Sequence, residues 1–510
     1  MNGEMGTRLG KVYLVGAGPG DPGLITVRGV ECLQRAEVVV YDKLANPVLL
    51  QYAPASAERI YAGKDPQKHT LTQEEINQLL IDRARAGRTV VRLKGGDPVV
   101  FGRGSEEAEA LRAAGIEYEL VPGVSSAIAG PMYAGIPVTH RGLATAFLVV
   151  TGHEDPTKES PQVDWEQVAR FFGTRVILMG VERIGAIASE LMRHGLAADT
   201  PVAMVQDATL PRQRVVTGTL ATIAEVAERE QIRPPAITVV GDVVRLREVL
   251  AWWERRPLYG KRIAVTRSRE QASELVRRLS ELGADVLEVP TIAIKPPISK
   301  APLREALDGL GEYDWIVFTS PNGVTAFFDE FFRMFDDIRA LGHVRIAAVG
   351  PATAKKVRAL RLRVDLQPQE YTTEALLETF RREVSCENVK FLLPRADLAD
   401  QRLARGLEDL GAIVDDIDAY RTVPAAEDIS GHRARLMAEG ADIVTFTSSS
   451  TVENFCRLVN VPALQQQFPS MRFVSIGPQT TRAAQEHGLV VAREANPHTI
   501  DGLVEAILKL

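Results

Sequence analysis

Two glycine-rich loops and a pair of opposite charges are the chemistry-bearing features of the first half of this chain. In Val91–Glu107, VRLKGGDPVVFGRGSEE, a β-branched apolar run from Thr89 to Leu93 leads into Gly95, Gly96, Asp97, Pro98, Gly102 and Gly104. Glycine there lets backbone approach a ligand closely, and Asp97 offers a carboxylate to hydroxyls or to a cationic group. Ser105 is expected to open a helix whose first turn carries Glu106 and Glu107. The second loop, Gly16-Ala17-Gly18-Pro19-Gly20-Asp21-Pro22-Gly23, follows an apolar strand, Lys11–Val15, and precedes a helix that Thr26 can cap. Its spacing is GxGxGD, not the dinucleotide GxGxxG, and no Lys-Ser/Thr pair completes a P-loop. Asp42 ends the strand Glu37–Tyr41, and Lys64 follows the strand Glu58–Tyr61. Ligands of open α/β sheets sit beyond the carboxyl ends of the strands, where all four features fall. Taken singly, each is an ordinary turn or a solvated charge.

The elements that must position these residues belong to a long chain. A length of 510 residues, 45% hydrophobic and 25% charged, suits about three or four compact units. The net charge of -6 gives no global attraction to nucleic acid, so an anionic ligand needs local clusters. Cys32, Cys386 and Cys456 form no CxxC and the eight histidines no HxxxH or HxH, so reduced, packed thiols and no metal centre are expected. With no signal-peptide core and no 18-residue apolar run, the expectation is a cytoplasmic protein without a membrane partner. Beyond Val121, Ser125 can cap a small-residue helix ending at Gly135. Ile136–Arg141, Thr151–His153, a strand Arg175–Met179, Gln206–Thr209 and a strand Ile237–Val240 follow. Val243–Trp253 reads as a closing helix and places a boundary near Arg256.

The second half repeats itself. Val265-Thr266-Arg267 matches Leu393-Pro394-Arg395, and Leu282-Gly283-Ala284 matches Leu410-Gly411-Ala412, both at an offset of 128. Phe318-Thr319-Ser320 matches Phe446-Thr447-Ser448 at the same offset, and Gly350-Pro351 matches Gly477-Pro478 at 127. In-order matches of this kind indicate duplication, here of alternating strand and helix patterns, and so predict two parallel-sheet lobes. The repeated words fall where strands open onto helix N-termini, whose N–H groups and hydroxyls suit carboxylate or phosphate. Thr319, Ser320, Asn322, Gly350, Thr447, Ser448, Ser449 and Gly477 are therefore candidate contacts for an anionic ligand in one cleft.

Residues 9–250 resemble the uroporphyrinogen-III C-methyltransferases of the tetrapyrrole methylase family through VYLVGAGPGDPGLITVRG, VVVYD, VRLKGGDPVVFGRGSEE, VPGVSSAIAGPMYAGIPVTHR, TGH, ILMG, QRVVTGTL and ITVVGDVV. The resemblance implies S-adenosylmethionine held between two α/β subdomains, about 9–121 and 122–250, and released as S-adenosylhomocysteine. It implies methylation of two pyrrole rings of uroporphyrinogen III to give precorrin-2. By motif, the cofactor would meet Pro19, Gly95, Gly96, Asp97, Val100, Ser125, Ser126, Met179 and Ala208. At the last of these the family commonly has glycine, so Ala208 is expected to touch through backbone only. Asp42 and Lys64 fall on the family's proton acceptor and donor, while Arg103, His140 and Arg141 are candidate partners for substrate carboxylates. A homodimer through this half is implied as well.

After a joint at 251–257, residues 258–510 resemble uroporphyrinogen-III synthase through WIVFTSPNGV, AAVGPATA, AYRT, VTFTSSSTVENF, IGPQT and TIDGLVEAI. This implies flavodoxin-like lobes, one of about 258–293 plus 424–510 and the other 294–420, joined by a two-stranded hinge. It also implies that hydroxymethylbilane is dehydrated and closed with inversion of its last ring, with Tyr420 on the tyrosine that assists departure of the hydroxyl. No dehydrogenase or chelatase segment is expected before Leu9, and whether the pathway leads to siroheme or cobalamin stays open. The rival readings are methylation of a later corrin intermediate by the first half and a two-lobed anion-binding module in the second. The intact VRLKGGDPVVFGRG word, and its fusion to the second half, weigh against the first.

Overall fold

The computed structural model describes residues 9–63, 71–153, 163–267, 269–397, 399–425, 428 and 430–510, the side chains of 269–273 and 424 excepted. Lys11–Gly16 (β1), Val38–Tyr41 (β2), Glu58–Tyr61 (β3), Val90–Lys94 (β4) and Glu117–Val121 (β5) form a wholly parallel sheet in the order β3-β2-β4-β1-β5. Its strands are near-continuous apolar runs because both faces are covered. Val12, Leu14, Val38, Val40 and Val90 pack into one core cluster, while Val15, Val39, Val91 and Leu93 pack into another. Phe147–Thr151 (β6), Thr174–Leu178 (β7), Pro201–Gln206 (β8), Arg214–Thr219 (β9) and Ala236–Val240 (β10) make the second sheet, order β6-β7-β10-β8-β9. Here β6 and β7 pair parallel and the other three pairings are antiparallel.

The remaining strands are Arg262–Val265 (β11), Asp285–Glu288 (β12), Ile292–Lys295 (β13), Trp315–Phe318 (β14), Arg345–Ala348 (β15), Lys390–Ala396 (β16), Ile413–Pro424 (β17), Ile443–Phe446 (β18), Arg472–Ser475 (β19) and Val491–Glu494 (β20). One parallel sheet runs β12-β11-β18-β19-β20, the 2-1-3-4-5 order of flavodoxin-like folds. The other runs β13-β17-β16-β14-β15 and is parallel except for β13 against β17. The antiparallel pair, with Ile292 opposite Pro424 and Lys295 opposite Arg421, is where the chain passes from the third sheet to the fourth and back. The duplication is visible in backbone detail. Gly283 and Gly411 each end a helix at φ of +100° and +84°, in the left-handed region, and hand the chain to β12 and β17.

Two local expectations differ from the structure. The helix after the glycine loop that begins at Gly95 starts at Gly104, not Ser105, because Arg103 takes the cap position in a left-handed conformation at φ +59° without a side-chain cap bond. The expected closing helix is broken into the 3-10 turn Asp242–Leu246, the short helix Arg247–Leu250 and the 3-10 turn Trp253–Arg255. Tertiary docking breaks it: Trp252 and Trp253 pack on Tyr133, with ring centroids 5.3 and 4.5 Å away, and this turns the chain at Ala251. No described helix is long and apolar enough to cross a membrane.

Candidate functional site

Three loops meet beyond the carboxyl ends of β1, β4 and β5. Gly18 and Gly96 exchange backbone hydrogen bonds of 3.2 and 2.7 Å, and a Cβ on Gly123 would lie 2.2 Å from the carbonyl oxygen of Gly96. Glycine is therefore required by close backbone approach. Asp97 locks the arrangement: one carboxylate oxygen accepts from the N–H groups of Val99 and Val100 at 2.9 and 3.2 Å, and the other accepts from Gly123 at 3.0 Å. Both oxygens thus hold loop backbone, a positioning task that sequence reasoning had not given to Asp97. Gly96, at φ +68°, faces open space whose nearest atom is the Ser126 nitrogen, 3.9 Å from a built Cβ. Ser126 opens the helix Ser126–Tyr133, and Ser125 caps it by accepting from Ala127. Val100 is exposed and Pro19 half-buried at the same loops.

Met179 follows β7 at φ +55° with 52% of its surface exposed, an uncommon conformation for a long side chain that favours a functional constraint. Ala208 lies between Asp207 and Thr209, both left-handed, and its methyl packs 3.2 Å from a Cβ built on Gly130. Its side chain therefore belongs to the core, and only its backbone is left for a ligand.

Asp42 stands at the end of β2 with its side chain 28% exposed and one oxygen accepting from Arg92 Nη2 at 2.6 Å. Lys64 lies outside the described residues. Arg103 closes its guanidinium on Glu106 through bonds of 2.9 and 2.6 Å. His140 and Arg141 sit on an exposed turn where His140 bridges to Ala144, and among the described residues neither forms an ion pair. The structure thus brings Pro19, Gly95, Gly96, Asp97, Ser125 and Ser126 together at abutting loops, while among the described residues no hydrogen bond or ion pair ties His140 or Arg141 to them.

In the second half, Ser320 caps the helix Pro321–Met334 and its Oγ lies 2.9 Å from the hydroxyl of Tyr420 on β17. Tyr420 is buried, and burial pushes its hydroxyl pKa up against the opposing effect of Ser320. Thr319 and Asn322 flank that helix start, and Gly350 caps the helix Pro351–Ala359 with nothing in front of it. On the other sheet, Ser448 caps the helix Ser449–Leu458 in a box with Thr451, Ser449 donates to the Gln479 carbonyl at 3.3 Å, and Thr447 Oγ1 is buried without a partner among the described residues. Gly477 caps the helix Pro478–Glu486, with the ring of His498 3.2 Å from a built Cβ. The candidate contacts therefore divide between two sheets, each set at carboxyl strand ends.

The profile of the family described as Tetrapyrrole (Corrin/Porphyrin) Methylases matches residues 11–224, and that of Uroporphyrinogen-III synthase HemD matches residues 273–505. Porphyrin biosynthesis protein HemD of Ruminiclostridium josui is 37% identical over 505 residues, which is 98% of either chain. This chain belongs to both families, joined end to end. The methylase half is also 57% identical over 246 residues to the S-adenosyl-L-methionine-dependent uroporphyrinogen III methyltransferase of Methanosarcina barkeri, covering 48% of this chain and 96% of that protein. A crystal structure of Uroporphyrin-III C-methyl transferase from Thermus thermophilus, complexed with S-adenyl homocysteine, is 45% identical and is covered completely by 46% of this chain, with a TM-score of 0.40.

Sequence reasoning missed a buried charge cluster in the methylase half. Arg92 and Lys94, on a strand buried on both faces, are 2% and 4% exposed and meet the fully buried Glu107. Two cations at i and i+2 inside a central parallel strand were the available signal, since such charges stay buried only when paired. The synthase half holds a parallel case, Arg395 on β16 against Asp416 on β17 at 2.8 Å. A cavity of about 400 Å³ lined by Phe171, Thr174, Thr200 and Asp242 opens at the start of β7, the opposite end of that strand from Met179.

Proposed function

We propose that the synthase half converts hydroxymethylbilane to uroporphyrinogen III, with loss of water and inversion of one ring, and that the methylase half carries this product on to precorrin-2 by two methylations. The observation that supports it best is the meeting of the glycine loops at Gly18, Gly96 and Gly123 beside the half-open carboxylate of Asp42, in a chain whose two halves match the two families. The open face of Gly96 at a helix N-terminus fits a small ligand with an anionic end. S-Adenosylmethionine, when bound there, supplies the methyl group. Pro19, Gly95, Gly96, Val100, Ser125, Ser126, Met179 and the Ala208 backbone would hold it, with Asp97 keeping the loop in shape.

Attack by a pyrrole carbon leaves a proton to be removed, and Asp42 is the acceptor in this reading, with Lys64 as donor. Arg103, His140 and Arg141 receive substrate carboxylates. In the synthase half, a tyrosine whose burial keeps it protonated suits an acid, so Tyr420 assists departure of the hydroxyl while Thr319, Ser320, Asn322, Gly350, Thr447, Ser448, Ser449 and Gly477 hold carboxylates. The domains assigned are 9–250 and 258–510 in a cytoplasmic enzyme that pairs through its methylase half. Incubation of the whole enzyme with hydroxymethylbilane, with and without S-adenosylmethionine, tests the assignment. Isomer III alone should form without the methyl donor, and a dimethylated product of matching mass with it. Isomer I alone, or no gain of methyl groups, would refute the corresponding half.

A further inference from the structure

Glu107, in the first turn of the helix Gly104–Ala113, is fully buried although it is a carboxylate. Its Oε1 accepts from Lys94 Nζ at 2.7 Å, from Arg92 Nε at 3.1 Å and from Gln73 Nε2 at 3.3 Å. Its Oε2 is buried with no hydrogen-bond partner among the described residues. A bare carboxylate oxygen in a core is costly, and a glutamine or an apolar residue would relieve that cost unless the charge itself is needed. Arg92 spends its remaining nitrogens on the Val40 carbonyl and on Asp42, at 3.4 and 2.6 Å. Two cations and two anions therefore sum to zero, and only Asp42, 28% exposed against 5% or less for the others, reaches solvent.

We infer that Glu107 is a positioning residue of the methylase centre: acting through Arg92, it fixes where the Asp42 carboxylate points. The inference rests on the reading of Asp42 as proton acceptor. Without the Glu107 carboxylate, Arg92 loses the partner that anchors its Nε and Lys94 loses its own, so the guanidinium that holds Asp42 is free to shift. A misplaced base removes the proton more slowly. Among the described residues, the charges near the cluster include the Arg103–Glu106 pair on the helix of Glu107 and Glu74 on the helix Gln73–Arg85. Lys94 carries the complementary role. Burial and Arg92 push its pKa down, whereas Glu107 and Asp42 oppose that, so its charge depends on both anions.

The test compares Glu107→Gln, Lys94→Met and the double variant in the full chain. The position of the Asp42 carboxylate is read at pH 7 from carboxyl-13C-aspartate NMR, its signal assigned with Asp42→Asn, alongside kcat, KM and thermal stability. Glu107→Gln should displace the Asp42 signal, because Arg92 loses its anchor. It should lower kcat roughly ten-fold with KM changed less than about two-fold, the pattern of a lost transition-state contribution. Lys94→Met should displace the Asp42 signal as well, and the double variant should return both signal and kcat toward wild type because no buried charge is left unpaired. An Asp42 signal unmoved in both single variants overturns the inference. So does a kcat loss that tracks thermal stability and persists in the double variant, because Glu107 would then serve folding alone. Displaced Asp42 signals in the variants of an enzyme whose wild type shows no methyl transfer would instead sink the function proposed for this half and leave the coupling standing.

Discussion

At the scale of single residues, Asp42 and Tyr420, two of the three candidate proton-handling side chains, sit in opposite environments. Asp42 is half-open, with one oxygen held by Arg92 and the other without a described partner. Asp42→Asn keeps the shape and removes the base, so methyl transfer should fall roughly 10²- to 10⁴-fold while S-adenosylmethionine affinity, measured by calorimetry, stays within about two-fold. Methylation at the wild-type rate would reduce Asp42 to a surface charge. Tyr420 is instead buried, with its hydroxyl against Ser320, the cap of the helix Pro321–Met334. Tyr420→Phe should slow isomer III formation by roughly ten- to a thousand-fold, within the range for general acids, and let spontaneous isomer I accumulate. An unchanged rate and isomer ratio by chromatography would leave Tyr420 a packing residue.

At the scale of elements, Asp97 and Glu330 each hold a segment in place. Asp97→Ala removes the acceptors for Val99, Val100 and Gly123 and releases a loop that already carries Phe101 and Arg103 at positive φ. Cofactor binding should become undetectable by calorimetry while uroporphyrinogen III synthesis continues. Unaltered affinity would show that the loop is not the cofactor site. Glu330, buried on the helix Pro321–Met334, accepts from Lys300, Arg304 and Arg333 at 2.6, 2.7 and 2.8 Å. Burial alone would raise its pKa, but the three cations outweigh that and bring it to about 2. A folded-state pKa below the unfolded one gives stability that is full above about pH 4.5 and is lost as pH falls toward 2. The three cations are partly solvated, so the contribution is on the order of 2 kcal/mol. Hydrogen exchange of this helix should be faster in Glu330→Gln than in wild type at pH 7, and the difference should shrink on acidification below pH 4.5. A difference independent of pH would assign the effect to packing.

At the scale of the molecule, the joint between the halves is packed. The Arg256 guanidinium lies 3.3 Å from the centroid of the Trp253 ring and donates to the Ser280 carbonyl at 3.1 Å, while the Tyr259 hydroxyl donates to the Gln213 carbonyl. Tyr133, against which both tryptophans pack at an angle, donates to Asp21 in the glycine loop Gly16–Gly23 at 3.0 Å. Each half nevertheless has its own core clusters, the methylase half around both sheets and the synthase half around its two. Cleavage after Arg256 should therefore leave two folded fragments, each with one activity. The amino fragment should melt about 2–4 °C lower once the contact with Ser280 is gone. Insoluble or inactive fragments would show that the halves depend on one another to fold.

Composition and periodicity alone determined much of this protein. Apolar strand runs, glycine loops at their carboxyl ends and the duplication at an offset of 128 are local or repeating patterns, and local physics makes them readable. The loop residues Gly95 to Asp97 and the Ser125 cap were legible for the same reason, whereas Tyr420 was marked only by the resemblance to the synthase family. Tertiary structure decided what depends on partners distant in sequence. It split the closing helix on Tyr133, turned the Asp97 carboxylate onto Gly123, set the Tyr420 hydroxyl against Ser320 and paired Arg92 and Lys94 with Glu107. Strand spacing shows that charges lie inside a buried strand, but only the packed fold shows which opposite charges neutralise them, because a pair that close in space can come from any two elements.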